Sequence, residues 1–257
     1  MCICVTPTPL LIRFGRSPVV FKDLGPQIGY QLVFFWEYFG PLVIFPLFYF
    51  FRREIYPASA LPAGGALPPA HLAQTVATAF WVGHYAKRLL ETFFVHSFSH
   101  ATMPLSNLFK NCAYYWGFAA AVSYFVNHPL YTPPVREDLI WGGLVLGVLS
   151  QLSNLYCHII LRRLRGDGKA GGDGAYQIPR GFLFEWVTCA NYTTEVFSWF
   201  AFNVISQTLL GYAFMLAGAL QMSLWAIAKH KRLRTLFDGK DGREKYPRRW
   251  VIFPPIL

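Results

Sequence analysis

The chain has 257 residues, of which 54% are hydrophobic, 18% aromatic and only 14% charged, against roughly 25% charged in an ordinary soluble domain. Its net charge of +10 lies in clusters that flank apolar tracts, not in a basic stripe interleaved with exposed aromatics, so nucleic acid is excluded as a partner and anionic lipid heads are favoured. The five cysteines Cys2, Cys4, Cys112, Cys157 and Cys189 are odd in number and mostly embedded in apolar sequence, which is not the pattern of a disulfide framework or a zinc site.

Along the chain, residues 1–20 contain a short apolar patch at Pro9-Leu10-Leu11-Ile12, broken by prolines and followed by Arg13 and Arg16. No small-residue cleavage site follows, so this is not read as a signal peptide, and the first true span must act as its own insertion signal. About 20 apolar residues cross a bilayer. That length predicts a first span over Ile28 to Phe51, stopped by Arg52-Arg53-Glu54, and a Pro/Gly/Ala loop from Pro57 to Pro69. Further spans are predicted over His71 to Val95, Cys112 to Val126 and Leu139 to Leu161, the last stopped by Arg162-Arg163-Leu164-Arg165. The apolar tract from Phe182 to Ala228 exceeds one span and suits two or three, with the first short or broken around Asn191. The expected fold is therefore all-α, a polytopic membrane helix bundle of six or seven transmembrane helices forming one membrane domain. Basic clusters at Arg162 to Arg165 and Lys229 to Arg234 put the glycine loop and the tail on the same, cytosolic side, which requires two spans between them.

Several motif matches carry little. Gly166-Asp167-Gly168-Lys169-Ala170-Gly171 fits G-x-G-x-x-G, but it follows an apolar helix where a dinucleotide fingerprint needs a strand before it and a helix after it. Asn191-Tyr192-Thr193 is formally a glycosylation sequon, set too deep in an apolar tract for surface modification. His96 and His100 share a helical face, as metal-binding pairs do, yet membrane di-iron enzymes use several boxes with adjacent histidines, and no two of the seven histidines here are adjacent. No metal is expected.

Polar residues inside apolar tracts are more telling, since ionisable groups in hydrocarbon are costly and normally mark a working site. Asn191-Tyr192-Thr193-Thr194-Glu195 is one such group. Glu37, between Phe34-Phe35-Trp36 and Tyr38-Phe39, is another and needs a donor, for which Tyr85 is a candidate. Lys87 or Arg88 with Glu91 has the spacing of an ion pair along one helix. Asn154, His158, Arg162 and Arg165 fall on one helical stripe, which suits a phosphate-rich ligand or, for the two arginines, a snorkelling helix end.

The strings KRLLETFFVH (87–96), FKNCAYYW (109–116), NHPLYTP (127–133) and CANYTTE (189–195), with Gly239-Lys240-Asp241-Gly242 and Tyr246-Pro247-Arg248-Arg249-Trp250, resemble the very-long-chain trans-2-enoyl-CoA reductases. The tail is most similar to their plant and green-algal branch. The likeness runs from Val20 to Leu257, and the wider group includes the steroid 5-alpha-reductases. It implies a bundle of membrane helices holding NADPH that reduces the 2,3 double bond of a very-long-chain enoyl-CoA, the last step of fatty acid elongation. The enzyme would sit in the endoplasmic reticulum membrane as a multi-pass protein open to the cytosol, with the other elongase subunits as partners. Family members begin with a ubiquitin-like domain; here residues 1–20 stand in its place and residues 21–257 form the catalytic domain.

Carried over by resemblance, Glu37 and Tyr85 are a hydrogen-bonded pair at the substrate carbonyl, with Glu37 orienting the phenol, while Tyr192 competes with Tyr85 as proton donor. The implied cofactor residues are Asn154, Arg165, Tyr176, Asn191, Glu195 and His230, with Arg162 as adjacent support. Guanidinium groups would take phosphates, including the 2′-phosphate of NADPH, while Asn and Glu take the carboxamide or adenine side. His158 replaces an acidic residue of the steroid reductases, and Lys110, Lys229 and Arg234 suit either CoA phosphates or lipid heads. An enone reductase of the same fold and a non-catalytic elongase subunit stay open beside the enoyl-CoA reductase.

Overall fold

The computed structural model describes residues 25–62, 65–98, 101–164, 177–240 and 242–257. Among them are six long helices: α1 (Tyr30–Phe50), α3 (Leu72–Phe94), α4 (Leu105–Val126), α5 (Glu137–Arg163), α6 (Ala190–Ser206) and α7 (Leu209–Leu236). A short helix, α2 (Arg52–Ile55), follows α1. The strands β1 (Gln27–Gly29) and β2 (Thr102–Pro104) pair antiparallel, with Ile28 opposite Met103.

The long helices alternate in direction, as their end contacts show. At one end β1 meets β2 ahead of α1 and α4, and Arg162 near the end of α5 donates to Phe94 O at the end of α3. At the other, Arg52 beyond α1 donates to Asn127 O beyond α4 (3.0 Å) and to Pro68 O ahead of α3 (2.9 Å). There Gln74 Nε2 also reaches Val126 O at 2.8 Å, and Tyr131 OH reaches Ser206 O at 2.8 Å. Within the bundle α5 lies along α6, and α1 against α3 and α4.

The helix starting at Leu105 is longer than the predicted span from Cys112, because its first two turns carry Ser106, Asn107, Lys110 and Asn111, which an apolar window rejects. The Phe182 to Ala228 tract resolves into a 3-10 turn (Phe182–Glu185) and two helices. The chain turns between them at Gln207, a left-handed residue with φ 44°, so α6 starts just before Asn191 and the break falls one helix length later. Two helices between the basic clusters return the tail to the end where α5 finishes. There Thr188 N donates to Trp250 O at 2.8 Å and Cys189 N to Val251 O at 3.1 Å, strapping residues 250–257 over the start of α6.

The packing is inverted relative to a soluble bundle. Glu37, Arg88, Glu91 and His158 are buried, while Phe50, Phe94, Phe109, Leu149 and Leu220 are exposed. Polar groups facing inward and apolar groups facing outward are what a hydrocarbon solvent selects. Three helices, α1, α5 and α7, are long and apolar enough to cross a membrane. The others of similar length, α3, α4 and α6, carry the polar side chains of the interior. The chain is thus a mostly helical protein of membrane type. α1 keeps Pro41 and Pro46 in its interior; Trp81 Nε1 of α3 supplies an outside donor to Pro41 O at 3.0 Å, the kind of neighbour that makes such prolines tolerable.

Candidate active site

Four helices meet around one buried polar network. α3 presents Lys87, Arg88 and Glu91 within one turn, so the sequence-predicted ion pairs form: Arg88 Nη1 to Glu91 Oε2 is 2.6 Å and Lys87 Nζ to Glu91 Oε1 is 3.1 Å. Arg88 Nη2 donates to Tyr38 OH of α1 at 3.0 Å, and His158 Nδ1 of α5 lies 3.0 Å from Glu91 Oε1. Buried charges persist in apolar surroundings only when paired and hydrogen-bonded, and Glu91 meets that condition with three neighbours.

The network continues into α6. Lys87 Nζ donates to Asn154 Oδ1 at 2.7 Å, and Asn154 Nδ2 donates to Asn191 O at 2.9 Å and to Thr194 Oγ1 at 3.2 Å. Glu195 Oε1 lies 3.5 Å from His84 Nε2 and accepts from Trp199 Nε1 at 3.3 Å. Gln151 Nε2 meets His84 Nδ1 at 2.7 Å; a carboxylate facing Nε2 favours the tautomer with its proton there, which leaves Nδ1 as the acceptor. The sequon asparagine, 2% exposed, is out of reach of any surface modification.

Against this background, the buried side-chain atoms without a hydrogen-bond partner among the described residues include Glu37 Oε2, Tyr85 OH, Asn191 Oδ1 and Gln151 Oε1. Buried polar groups are nearly always paired, so such exceptions require an explanation; a ligand supplies one. The Glu37–Tyr85 hydrogen bond implied by resemblance is not formed. Glu37 Oε1 instead accepts from Asn111 Nδ2 of α4 at 2.6 Å, while Tyr85 packs in the core with its ring tilted against that of Tyr38, centroids 6.2 Å apart. The two contenders for proton donor are separated. Tyr85 packs in the main core with Trp81 and Trp199, whereas Tyr192 packs with Cys189, Met222, Ala226 and Ile252 under the C-terminal strap.

Asn154 and His158 of the predicted stripe face inward and are engaged by Lys87 and Glu91, while Arg162 is exposed at the helix end. Arg165, Tyr176 and the glycine motif at 166–171 lie outside the described residues, as does His100. His96 does approach His158 and Glu91, with ligand atoms within 4.8 Å of one another, but Lys87 and Arg88 already neutralise Glu91 and oppose a further cation there.

At the end where the tail crosses α6, His230 Nδ1 lies 2.6 Å from Thr188 Oγ1, which also accepts from Tyr246 OH at 3.0 Å. Burial holds the Tyr246 phenol above its ordinary pKa, partly offset by that bond, so it stays a donor. His230 opens onto a cleft of about 590 Å³ walled by Arg234, Lys245, Arg248 and Arg249, and Thr188 stands two residues ahead of α6. The residues that the sequence did not single out are His84 and Gln151, polar side chains inside predicted apolar spans, and Asn111, which lies just ahead of one.

The family described as 3-oxo-5-alpha-steroid 4-dehydrogenase matches residues 101–257. The chain is 48% identical over 241 residues to the very-long-chain enoyl-CoA reductase of Dictyostelium discoideum, covering 94% of this chain and 74% of that one. It is 47% identical over 251 residues to the probable very-long-chain enoyl-CoA reductase of Caenorhabditis elegans, covering 94% and 76%. It is 42% identical over 215 residues to the putative enoyl-CoA reductase of Trypanosoma brucei brucei, covering 84% and 69%. A family match over more than half its length, and relatives this similar over most of theirs, place the chain in the 3-oxo-5-alpha-steroid 4-dehydrogenase family, the steroid 5-alpha-reductase group that its sequence resembles.

Proposed function

We propose that the chain is a very-long-chain trans-2-enoyl-CoA reductase, reducing the 2,3 double bond with NADPH in the last step of fatty acid elongation. The observation that carries this reading is a phenol, Tyr85, buried without a protein partner in a bundle whose relatives bear enoyl-CoA reductase in their names. Reduction at the β-carbon builds negative charge on the thioester oxygen, so a donor must be aimed there in advance. Tyr85 can donate to that oxygen at no cost to the fold, because its hydroxyl serves nothing else. The α-carbon then needs a proton, which a neutral phenol can supply if it is reprotonated from solvent afterwards. Glu37, anchored by Asn111 through one oxygen, has the other without a protein partner and available to the substrate. Tyr192 serves as a wall of the site under the strap.

The residues fit a nicotinamide cofactor, which when bound supplies the hydride. Asn191 Oδ1 and Gln151 Oε1 are both buried amide acceptors without partners, suited to the N–H groups of a primary carboxamide. Asn154 holds the Asn191 backbone, and Glu195 is oriented by His84 and Trp199. His230 with Arg162, Arg165 and Tyr176 would take the phosphates and adenosine, the guanidinium groups favouring the 2′-phosphate of NADPH. Six long helices would each cross the endoplasmic reticulum membrane, with the basic ends of α5 and α7 cytosolic and other elongase subunits as partners.

The test is oxidation of NADPH by the purified chain with a trans-2-enoyl-CoA, with NADH and an enone steroid as controls. Turnover with the enoyl-CoA and NADPH is expected. Turnover with the enone alone would sink the substrate assignment, and equal use of NADH would sink the phosphate role given to the arginines.

A further inference from the structure

Arg248 and Arg249 form a wall between two clefts. One is the polar cleft beside His230. The other, of about 510 Å³, is lined by Glu185, Trp186, Arg248, Arg249, Trp250 and Pro254. Its walls are fixed by the backbone: Trp250 N donates to Trp186 O at 2.9 Å and Thr188 N returns to Trp250 O at 2.8 Å. Arg249 is locked in place, with Nη1 on Pro179 O at 2.6 Å and Nη2 3.4 Å from Glu185 Oε2. Its side chain is 0% exposed, yet Nε has no partner.

Trp186 is 67% and Trp250 46% exposed, and among the described residues neither stacks on another ring. Between them Arg248 is exposed and has no ion pair or side-chain hydrogen bond among the described residues. Open aromatic faces beside an unpaired guanidinium are the elements that recognise a purine and its phosphates, by stacking and by charge-assisted hydrogen bonds. The volume lies within the range of small-molecule sites.

We propose that this cleft binds an adenosine phosphate, the adenosine bisphosphate end of the acyl-CoA substrate, while the cleft beside His230 serves the dinucleotide cofactor. The assignment rests on the reductase reading, because that reaction brings together two ligands that each end in an adenosine phosphate. The structure offers two nucleotide-sized clefts that share the Arg248–Arg249 wall. His230 of the polar cleft contacts Thr188, two residues ahead of α6 and three ahead of Asn191, whose free amide oxygen suits a carboxamide. The indole cleft shares only Arg248 and Arg249 with it and is assigned to the carrier.

The test compares an enoyl-CoA with the corresponding enoyl-pantetheine thioester, which lacks the nucleotide, in the full chain and in Arg248→Ala and Trp250→Ala. Both side chains are exposed, and the strap is held by the Trp250 backbone, so the fold should persist. The preference for the CoA thioester, as a ratio of kcat/KM values, is expected to fall about tenfold in each variant, as loss of one stacked base or charged contact predicts. A rise in the KM for NADPH in Trp250→Ala, whose side chain lines the indole cleft and not the one beside His230, would give the cleft to the cofactor and overturn the assignment. An unchanged ratio, as expected of indoles that merely anchor the chain in the lipid interface, would overturn it equally. Equilibrium dialysis of adenosine 3′,5′-bisphosphate separates this proposal from the reductase reading. Binding that Trp250→Ala abolishes, in a chain that reduces no thioester, would keep the nucleotide cleft and remove the reductase; turnover of enoyl-CoA without such binding would remove the cleft.

Discussion

Tyr85 and Glu37 illustrate how a single side chain reveals its task by what it lacks. Most of their neighbours are tied: Glu91 has Lys87, Arg88 and His158, and Asn154 has Lys87, Asn191 and Thr194. A buried hydroxyl left over from such a network costs stability and persists for another reason. Tyr85→Phe therefore removes no hydrogen bond of the protein itself. The variant is expected to match the parent in thermal melting while kcat falls roughly hundredfold or more, the size of a lost general acid. Retained kcat in Tyr85→Phe with loss in Tyr192→Phe would transfer the role to Tyr192. Glu37 and the 191–195 cluster were legible because charge and amides stand out in an apolar run. Their partners were not, since Asn111 lies outside the span that apolarity defines, and the choice between Asn111 and Tyr85 as donor to Glu37 depends on how α1 packs against α3 and α4.

Small residues decide how closely the site-bearing helices approach. On α5, Gly143 and Gly147 are spaced as in small-xxx-small packing motifs of membrane helices. A Cβ on Gly143 would lie 2.8 Å from Ile205 Cγ1 and 3.1 Å from Ala201 O, both on α6, and one on Gly147 would lie 2.4 Å from the Phe80 ring of α3. The same helix carries Gln151 and Asn154, so its distance from α6 sets the Asn154 to Asn191 bond at 2.9 Å. Gly143→Leu should push α5 off α6 and cost about 1–3 kcal/mol by overpacking. The KM for NADPH is expected to rise roughly tenfold, as loss of about 1.4 kcal/mol predicts, with a smaller change for the enoyl-CoA. A lowered melting temperature with unchanged cofactor KM would mean that α5 spacing does not govern the cofactor site. Helix existence was readable from length and apolarity, which found α1, α3 and α5 to within a few residues. The glycine contacts were not readable, because what a Cβ would strike depends on the partner helix.

The whole molecule has two chemically different ends, and that polarity fixes the orientation proposed for it. One end gathers Arg162 and Arg163 of α5, Lys229 to Arg234 of α7 and the Lys245, Arg248 and Arg249 of the strap, together with both clefts. The opposite end holds the turns after α1, α4 and α6, where Arg52 is the buried cation and is spent on the carbonyls of Pro68 and Asn127. Excess exposed Lys and Arg near helix ends marks the cytosolic side, and in the proposed reaction soluble cofactor and CoA thioester reach the two clefts from the same compartment. A polar linker bearing a glycosylation sequon, inserted in the turn at 129–135, should therefore be glycosylated in endoplasmic reticulum membranes, and the same linker at 239–242 should not. Only an even number of crossings between α5 and the tail keeps both basic clusters on one side, and α6 with α7 provide two. Glycosylation at 239–242 would place the clefts in the lumen, away from the elongation cycle's cofactor supply, and the orientation and the reductase assignment would fall together.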